Sequence, residues 1–245
     1  MRAFGAQVRV ETFMTLRRGE TLLLTVGIPV LFLIFFTSVH VVSTGTSKAV
    51  SFFVPGILAL AIMSTAMVSL GIATGFERGY GVLKRLGSTP LGRPRLLGAK
   101  ISTVLLVEVL QAVVLVSIGL GLGWSPGGPG GDALAAQAIV VALLGTVAFG
   151  GLGLLLAGVL RAEVNLAAAN ALYLVLLLLG GMIVPLAKLP APLATLAGAL
   201  PAAALSDGLR AALGTGTAVP AGSWIVLAVW AVAAALVAAL TFRWE

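Results

Sequence analysis

Long stretches without a charged side chain are the feature that most constrains how this chain can fold. Five runs contain no Asp, Glu, Lys or Arg: residues 21–47, 49–76, 133–160, 164–187 and 211–242. A sixth run, residues 101–131, has Glu108 as its one charged side chain. Each run is longer than the roughly 20 residues that an α-helix needs to cross the hydrocarbon core of a bilayer. The sequence therefore predicts an integral membrane protein.

These runs locate six predicted transmembrane spans. They cover about residues 21–42, 52–75, 101–123, 134–160, 164–184 and 222–242. None alternates apolar and polar residues as an outer-membrane strand does, and a helix satisfies its backbone polar groups within the segment. The first apolar run exceeds the h-region of a signal peptide, so we expect it to remain in the protein. We predict an all-α integral membrane protein with one transmembrane domain over residues 1–245.

Lysine and arginine are distributed unevenly among the predicted loops. With the N-terminus in the cytoplasm, 12 of the 15 cations lie inside, and only Lys48, Lys188 and Arg210 lie outside. Because cytoplasmic loops are enriched in Lys and Arg, this division predicts an inner-membrane protein with both termini in the cytoplasm. Topology accounts for the net charge of +7, so we expect the lipid bilayer as surroundings and no nucleic acid as partner.

Residues 1–20 predict an amphipathic helix on the cytoplasmic membrane surface. The apolar side chains on roughly one side of this helix are Phe4, Val8, Phe13, Met14 and Leu16. Charged side chains lie mostly elsewhere, a pattern that is typical of interfacial helices. The alternative is a frayed terminal segment.

Residues 185–220 contain an uncharged stretch that could be mistaken for a seventh span. Pro190, Pro192 and Pro201 interrupt this stretch, and a proline breaks the hydrogen bonds of a lipid-exposed helix. A seventh crossing would also place Arg243 outside. We therefore predict an outer loop with short helices between spans five and six.

Glycine spacing predicts close contacts between helices. Gly71 and Gly75 at the end of span two, and Gly119 and Gly123 at the end of span three, have GxxxG spacing. Such small residues let two helix backbones approach each other in a membrane. Further glycines crowd span four, among them Gly153.

The connector between spans two and three, residues 76–100, holds seven charged side chains. Its first part predicts a short amphipathic helix, with Tyr80 and Leu83 on an apolar side and Arg78 and Arg85 on another. Gly87 is a typical C-terminal stop, and a Thr-Pro pair then signals re-entry. Cations that fix topology and touch anionic lipid are one explanation. A docking element for a cytoplasmic protein also explains the apolar side.

The sequence contains few residues or motifs that could form a catalytic or metal-binding site. No G-x-x-x-x-G-K-[ST] phosphate-binding motif occurs, and cysteine is absent. His40 is the one histidine, and its place near the outer end of span one favours a capping or interfacial role over metal binding. We predict neither a catalytic site nor a metal site.

Polar side chains inside the spans have two interpretations. Glu108 and Gln111 lie three residues apart on one side of span three, and Asn165, Asn170 and Tyr173 lie in span five. They could line a substrate path, where a carboxyl group recognises cationic or hydrogen-bonding compounds. Alternatively, they form hydrogen bonds between neighbouring helices.

The connector resembles the signature loop of type 2 ABC export permeases, and is closest to the daunorubicin-resistance-like branch. The residues that carry this resemblance are Glu77-Arg78-Gly79, Leu83-Lys84-Arg85-Leu86, Ser88-Thr89-Pro90-Leu91 and Lys100. Two other stretches agree: Val54-Pro55-Gly56-Ile57, and residues 181–185 with the later Leu-Pro pairs, Asp207 and Arg210. Tyr80-Gly81 departs from the family pattern, because better helix formers usually stand there. The resemblance covers nearly the whole chain.

The resemblance implies that the connector is a coupling helix that docks into a separate ATP-binding subunit. The implied docking residues are Glu77, Arg78, Gly79, Leu83, Lys84, Arg85, Leu86, Thr89 and Pro90. It further implies a complex of two permease subunits, identical or different, with two ABC ATPase subunits. The chain itself would be no enzyme and bind no cofactor, since ATP and Mg would lie on the partner. The cargo of relatives is hydrophobic or amphipathic: drugs, lipids or glycan precursors. The resemblance therefore also implies a role in multidrug efflux and antibiotic resistance.

Two other classes of function remain at this point. A channel or secondary transporter without a motor would normally place more ionisable groups at mid-membrane or show inverted repeats with broken helices. A scaffold for membrane assembly is the second alternative.

Because the chain has no cysteine, single introduced cysteines can test the predicted topology. We expect membrane-impermeant reagents to label residue 90 only from the cytoplasmic side, and residues 128 and 195 only from the outside. Labelling of residue 195 from the cytoplasmic side alone would contradict the six-span arrangement.

Overall fold

The computed structural model describes residues 19–39, 49–87, 93–127 and 134–242, together with Gly5, Arg9 and Phe13. Every long element in these residues is a helix. The helices are α1 (Gly19–Ser38), α2 (Ala49–Gly79), α3 (Val82–Gly87), α4 (Arg93–Gly121), α5 (Ala135–Val159), α6 (Ala162–Leu179), α7 (Ala191–Gly198), α8 (Pro201–Leu209) and α9 (Ala221–Thr241). A 3-10 turn, Leu186–Lys188, precedes α7, and a π-helical turn, Arg210–Thr215, follows α8. The all-α prediction is confirmed.

Five of these helices are long and apolar enough to cross a membrane: α2, α4 from Gly98 onward, α5, α6 and α9. The described apolar part of α1 is shorter, Thr25–Ser38, and lies where the first span was predicted. The chain is therefore a multi-pass helical membrane protein. Of the predicted N-terminal helix, only Gly5, Arg9 and Phe13 are described, and all three are helical.

Two helices end at residues that differ from the predicted ends of their spans. Span five was expected to reach residue 184, but α6 ends at Leu179, because Gly181 adopts a left-handed conformation with φ +66°. A helix cannot continue through such a residue. Span two was expected to end at residue 75, but α2 continues to Gly79. The first residues assigned to the connector thus belong to a transmembrane helix.

The core of the bundle is built around α2. Its side chains from Val50 to Met63 are almost completely enclosed, and α2 packs against α1, α4, α5, α6 and α8. A π-helical turn, Ser64–Ser69, interrupts the α-helical hydrogen bonding at its centre. Such a turn widens the helix locally and is commonly found at functional positions.

Glycines bring α2 against α5 and α6 at backbone distance. A Cβ atom added to Gly71 would lie 2.9 Å from the carbonyl oxygen of Gly153, and one added to Gly153 would lie 2.5 Å from that of Met67. At Gly75 the added atom would lie 2.5 Å from Asn165 Nδ2. The predicted contact surface on α2 therefore exists.

The second GxxxG pair does not form such a surface. Only Gly119 is tightly packed, with Val54 and Trp124 around it, while a Cβ atom at Gly123 would meet nothing within 4 Å. Gly123 has φ +81° and lies beyond the end of α4. It serves the turn that follows the helix, so the prediction of a helix contact there is wrong.

The segment between α6 and α9 contains the predicted short helices, but α8 lies inside the bundle. Most of its side chains are buried, and Leu205 occupies the space beside Gly145 of α5. Just before α8, the carbonyl of Ala199 accepts a 2.9 Å hydrogen bond from Trp230 Nε1. Trp230 is nine residues into α9, which is about 14 Å along that helix at 1.5 Å per residue. The loop between α6 and α9 thus reaches well into the bundle.

We expect Gly153→Ala to destabilise the protein by about 1–3 kcal/mol, because the added methyl group must push α2 and α5 apart. Gly121→Ala is the matched control, since a Cβ atom there meets nothing within 4 Å. Unfolding in mixed detergent–SDS micelles measures the free energy of unfolding of both variants. Equal stability of the two variants would contradict the proposed contact between α2 and α5.

Candidate functional site

The connector begins with a sharp turn between α2 and α3. The amide of Gly81 donates a 2.9 Å hydrogen bond to the carbonyl of Arg78, and Gly81 has φ +69°. A side chain at this left-handed position would be strained, so Gly81 is the residue that permits the turn. The prediction that Arg78 and Arg85 share one helix is wrong, because Tyr80 and Gly81 separate α2 from α3.

Glu77 points toward α4. Its Oε2 atom lies 2.6 Å from Nζ of Lys100. The lysine side chain is only 5% exposed and the glutamate 31%, so water screens this ion pair weakly. The pair joins the two ends of the connector, since Glu77 precedes α3 and Lys100 follows it.

Arg78 points toward α5. Its guanidinium donates hydrogen bonds to the carbonyls of Gly158 and Leu160. Both carbonyls lie at the C-terminal end of α5, where a helix leaves acceptors without partners and carries partial negative charge. Arg78 therefore caps α5 from a neighbouring helix.

The outward surface of the connector is formed by other residues. Tyr80 is 73% exposed and stacks on Phe76 with 6.0 Å between ring centroids. Lys84 and Arg85 are exposed, whereas Leu83 is completely buried. The side chain of Leu86 and the residues Thr89 and Pro90 lie outside the described part of the chain. Tyr80 was not part of the predicted docking set.

Glu108 is bound to α5. The Thr146 hydroxyl donates a 2.7 Å hydrogen bond to Glu108 Oε2. The carboxyl group is buried, and its second oxygen has no hydrogen-bond partner among the described residues. A buried polar group without a partner is costly, so this contact is important for the position of α4 relative to α5.

Gln111, one turn further along α4, binds two other helices. Its Oε1 atom accepts a 3.0 Å hydrogen bond from Thr65, and its Nε2 atom donates a 2.8 Å bond to the carbonyl of Thr25. Thr65 lies in the π-helical turn of α2, and Thr25 lies in α1. Gln111 therefore fixes α1, α2 and α4 to one another.

The polar residues of α6 point in different directions. Asn165 is fully buried and donates a 2.9 Å hydrogen bond to the carbonyl of Gly71 in α2. Asn170 is exposed and binds the carbonyl of Leu166 in its own helix at 2.8 Å. Tyr173 is partly buried against the core. The five residues suggested for a substrate path thus do not meet at one site within this chain, and that role stays a prediction.

Arg210 forms a second arginine cluster, in the segment between α8 and α9. It donates hydrogen bonds to the carbonyls of Gly181 and Met182, pairs with Asp207 at 3.3 Å, and lies 3.9 Å from the centre of the Phe52 ring. Burial lowers the pKa of Arg210 to about 10, and the carboxylate of Asp207 opposes this shift. A guanidinium stays charged at such a value near neutral pH.

Gly56 makes room for this cluster, since a Cβ atom there would lie 2.3 Å from the carbonyl oxygen of Met182. In the sequence, Gly56, Gly181 and Arg210 belong to separate stretches that resemble the permease family. That these three residues lie in contact could be seen only from the folded structure.

The described residues form a multi-pass helical bundle with a short helix, α3, on the connector between α2 and α4. The sequence model of the ABC-2 type transporter family matches residues 3–213. Because this match covers most of the chain, the protein belongs to the ABC-2 type transporter family. No curated protein matches the chain. The chain is thus the membrane component of an ABC transporter, a permease that is not itself catalytic, in a family that typically pairs with an ABC ATPase subunit.

We expect the Glu108–Thr146 hydrogen bond to stabilise the bundle by about 0.6–1.7 kcal/mol. A double-mutant cycle with Glu108→Leu and Thr146→Val measures this coupling by unfolding in micelles. Glu108→Gln should be nearly neutral, since an amide can still accept from Thr146. If Glu108 instead reads substrate, Glu108→Gln would change which cationic compounds are exported while stability stays the same.

Proposed function

We propose that this chain is the transmembrane permease subunit of an ATP-driven exporter of the inner membrane, with both termini in the cytoplasm. Two permease subunits, identical or different, would combine with two ABC ATPase subunits that bind ATP and Mg. The observation that supports this most is α3, a short helix with exposed basic side chains, placed on a connector whose base is held by buried contacts.

The form of α3 suits a docking element. Leu83 fastens it to the bundle, while Tyr80, Lys84 and Arg85 face outward. Aromatic and arginine side chains contribute most to the binding energy of protein interfaces, and a basic surface favours a partner with acidic side chains. A ligand site for a small molecule would instead need a concave pocket, which a protruding turn of helix does not offer.

The proposed mechanism is alternating access. ATP would close the two ATPase subunits on each other, and α3 would follow the surface to which it is docked. Because α3 lies in the connector between α2 and α4, its displacement would change the arrangement of these spans. An inward-facing path would thereby convert to an outward-facing one.

The proposed cargo is a hydrophobic or amphipathic compound: a drug, a lipid or a glycan precursor. This choice, like the daunorubicin-resistance-like subtype and a role in multidrug efflux, follows from the resemblance of the connector. Gln111 and Glu108 form hydrogen bonds to neighbouring helices. Asn170 is exposed near the middle of α6, so it is the polar side chain best placed to meet cargo or a second permease subunit.

The docking role of α3 can be tested with a cognate ABC ATPase subunit, sought first among neighbouring genes. We expect the purified permease alone to neither bind nor hydrolyse ATP. Lys84→Glu combined with Arg85→Glu should lower retention of the ATPase subunit by about tenfold or more, as a loss of roughly 1.4 kcal/mol in binding free energy would. Co-purification from native-like lipid discs measures this retention.

Lys188→Glu is the control, since it changes a cation in the segment between α6 and α7, far along the chain from the connector. Full retention of the ATPase subunit by the Lys84/Arg85 variant would contradict docking at α3. A wild-type permease that retains no ABC ATPase at all would contradict the proposed function.

A further inference from the structure

We infer that Glu77 and Arg78 are positioning residues, which join the end of α2, from which α3 follows, to α4 and α5, rather than residues that contact the ATPase subunit. This inference rests on the proposed function, since it assigns a role within the coupling element. It differs from the docking role that the resemblance implies for the same two residues.

The first contact is the ion pair of Glu77 with Lys100. Its short distance of 2.6 Å and the 5% exposure of the lysine show that the ammonium group is enclosed by the protein. A buried charge must be paired, and Glu77 supplies the paired carboxylate. The glutamate is therefore held toward α4 by its partner.

The second contact is the cap that Arg78 places on α5. Its two terminal nitrogens bind the carbonyls of Gly158 and Leu160. A planar guanidinium can hold two acceptors at once. This arrangement fixes the side chain, because rotation toward a docked partner would leave both carbonyls of the α5 end without that donor.

The two contacts act from adjacent positions of one helical turn. Consecutive residues of an α-helix point about 100° apart, at 3.6 residues per turn, so Glu77 reaches α4 while Arg78 reaches α5. Three helices thus meet immediately before the turn at Gly81. The amide of Gly81 binds the carbonyl of Arg78, and the amide of Arg85 in α3 binds the carbonyl of Gly81 at 3.2 Å.

Glu77, Arg78, the turn at Gly81 and Leu83 together form what we call the joint between α3 and the bundle. Leu83 belongs to it because its side chain is fully buried. What α3 presents outward is then a separate set of residues: Tyr80, Lys84 and Arg85. A docked subunit would push on this outer set, while Glu77 and Arg78 hold α3 to the bundle.

Hydrogen exchange of the full-length permease in lipid discs, without any ATPase subunit, tests the joint. We expect Glu77→Gln and Arg78→Gln to accelerate exchange of the amides of residues 79–87 by several-fold. Glu163→Gln and Arg161→Gln are matched controls, because both residues are exposed near the start of α6. Exchange in α9 serves as an internal measure that each variant is folded.

The double variant Glu77→Lys with Lys100→Glu, called the exchanged pair, tests whether a rebuilt ion pair restores the wild-type behaviour. It should restore slow exchange at residues 79–87 and normal retention of the ATPase subunit, because the ion pair is rebuilt with reversed sign inside the permease. A lysine at position 77 would not replace a glutamate that contacts the partner.

Two outcomes would overturn the inference. The first is unchanged exchange in the free Glu77→Gln and Arg78→Gln permeases. The second is loss of ATPase retention in the exchanged pair, while Glu163→Gln and Arg161→Gln retain the ATPase subunit. Failure of the wild-type permease to retain an ATPase subunit is a different result, which would contradict the proposed function rather than the joint.

Discussion

Every polar group inside the spans must find a partner within the protein, because the hydrocarbon core of a bilayer supplies no water to bind it. This requirement determines how the helices of the bundle are fixed to one another. Glu108 joins α4 to α5, Gln111 joins α4 to α1 and α2, and Asn165 joins α6 to α2. Each of these side chains contacts a helix far away in the chain. A lipid-facing position would leave each of them unsatisfied, so these polar side chains define the orientation of their helices about their own axes.

Close packing of small residues makes these hydrogen bonds possible. Asn165 can reach the carbonyl of Gly71 because Gly75 carries no side chain that would collide with Asn165. In a membrane, helix association depends on such packing, since lipid tails are as apolar as the side chains they would replace. Glycine and polar residues therefore act together: the first allow the approach, and the second determine the register.

The sequence alone predicts the helices of this protein better than their contacts. Charge-free length is a property of a continuous stretch, so five long apolar helices lie where spans were predicted. The end of α6 was missed because the left-handed turn at Gly181 is stabilised by Arg210, which is 29 residues away in sequence. The directions of Glu77 and Arg78 were missed for a similar reason. Their partners, Lys100 and the end of α5, are brought to them only by the fold.

Arginine side chains bind pairs of backbone carbonyls at two places in this structure. The last carbonyls of a helix have no donor within the helix and carry partial negative charge. Arg78 supplies the donors for the end of α5, whereas Arg210 binds two carbonyls of the turn that follows α6. Lysine would be a poorer choice, since its single ammonium group lacks the planar fork that holds two carbonyls at fixed spacing. Part of the cationic charge of this chain therefore belongs to its internal architecture.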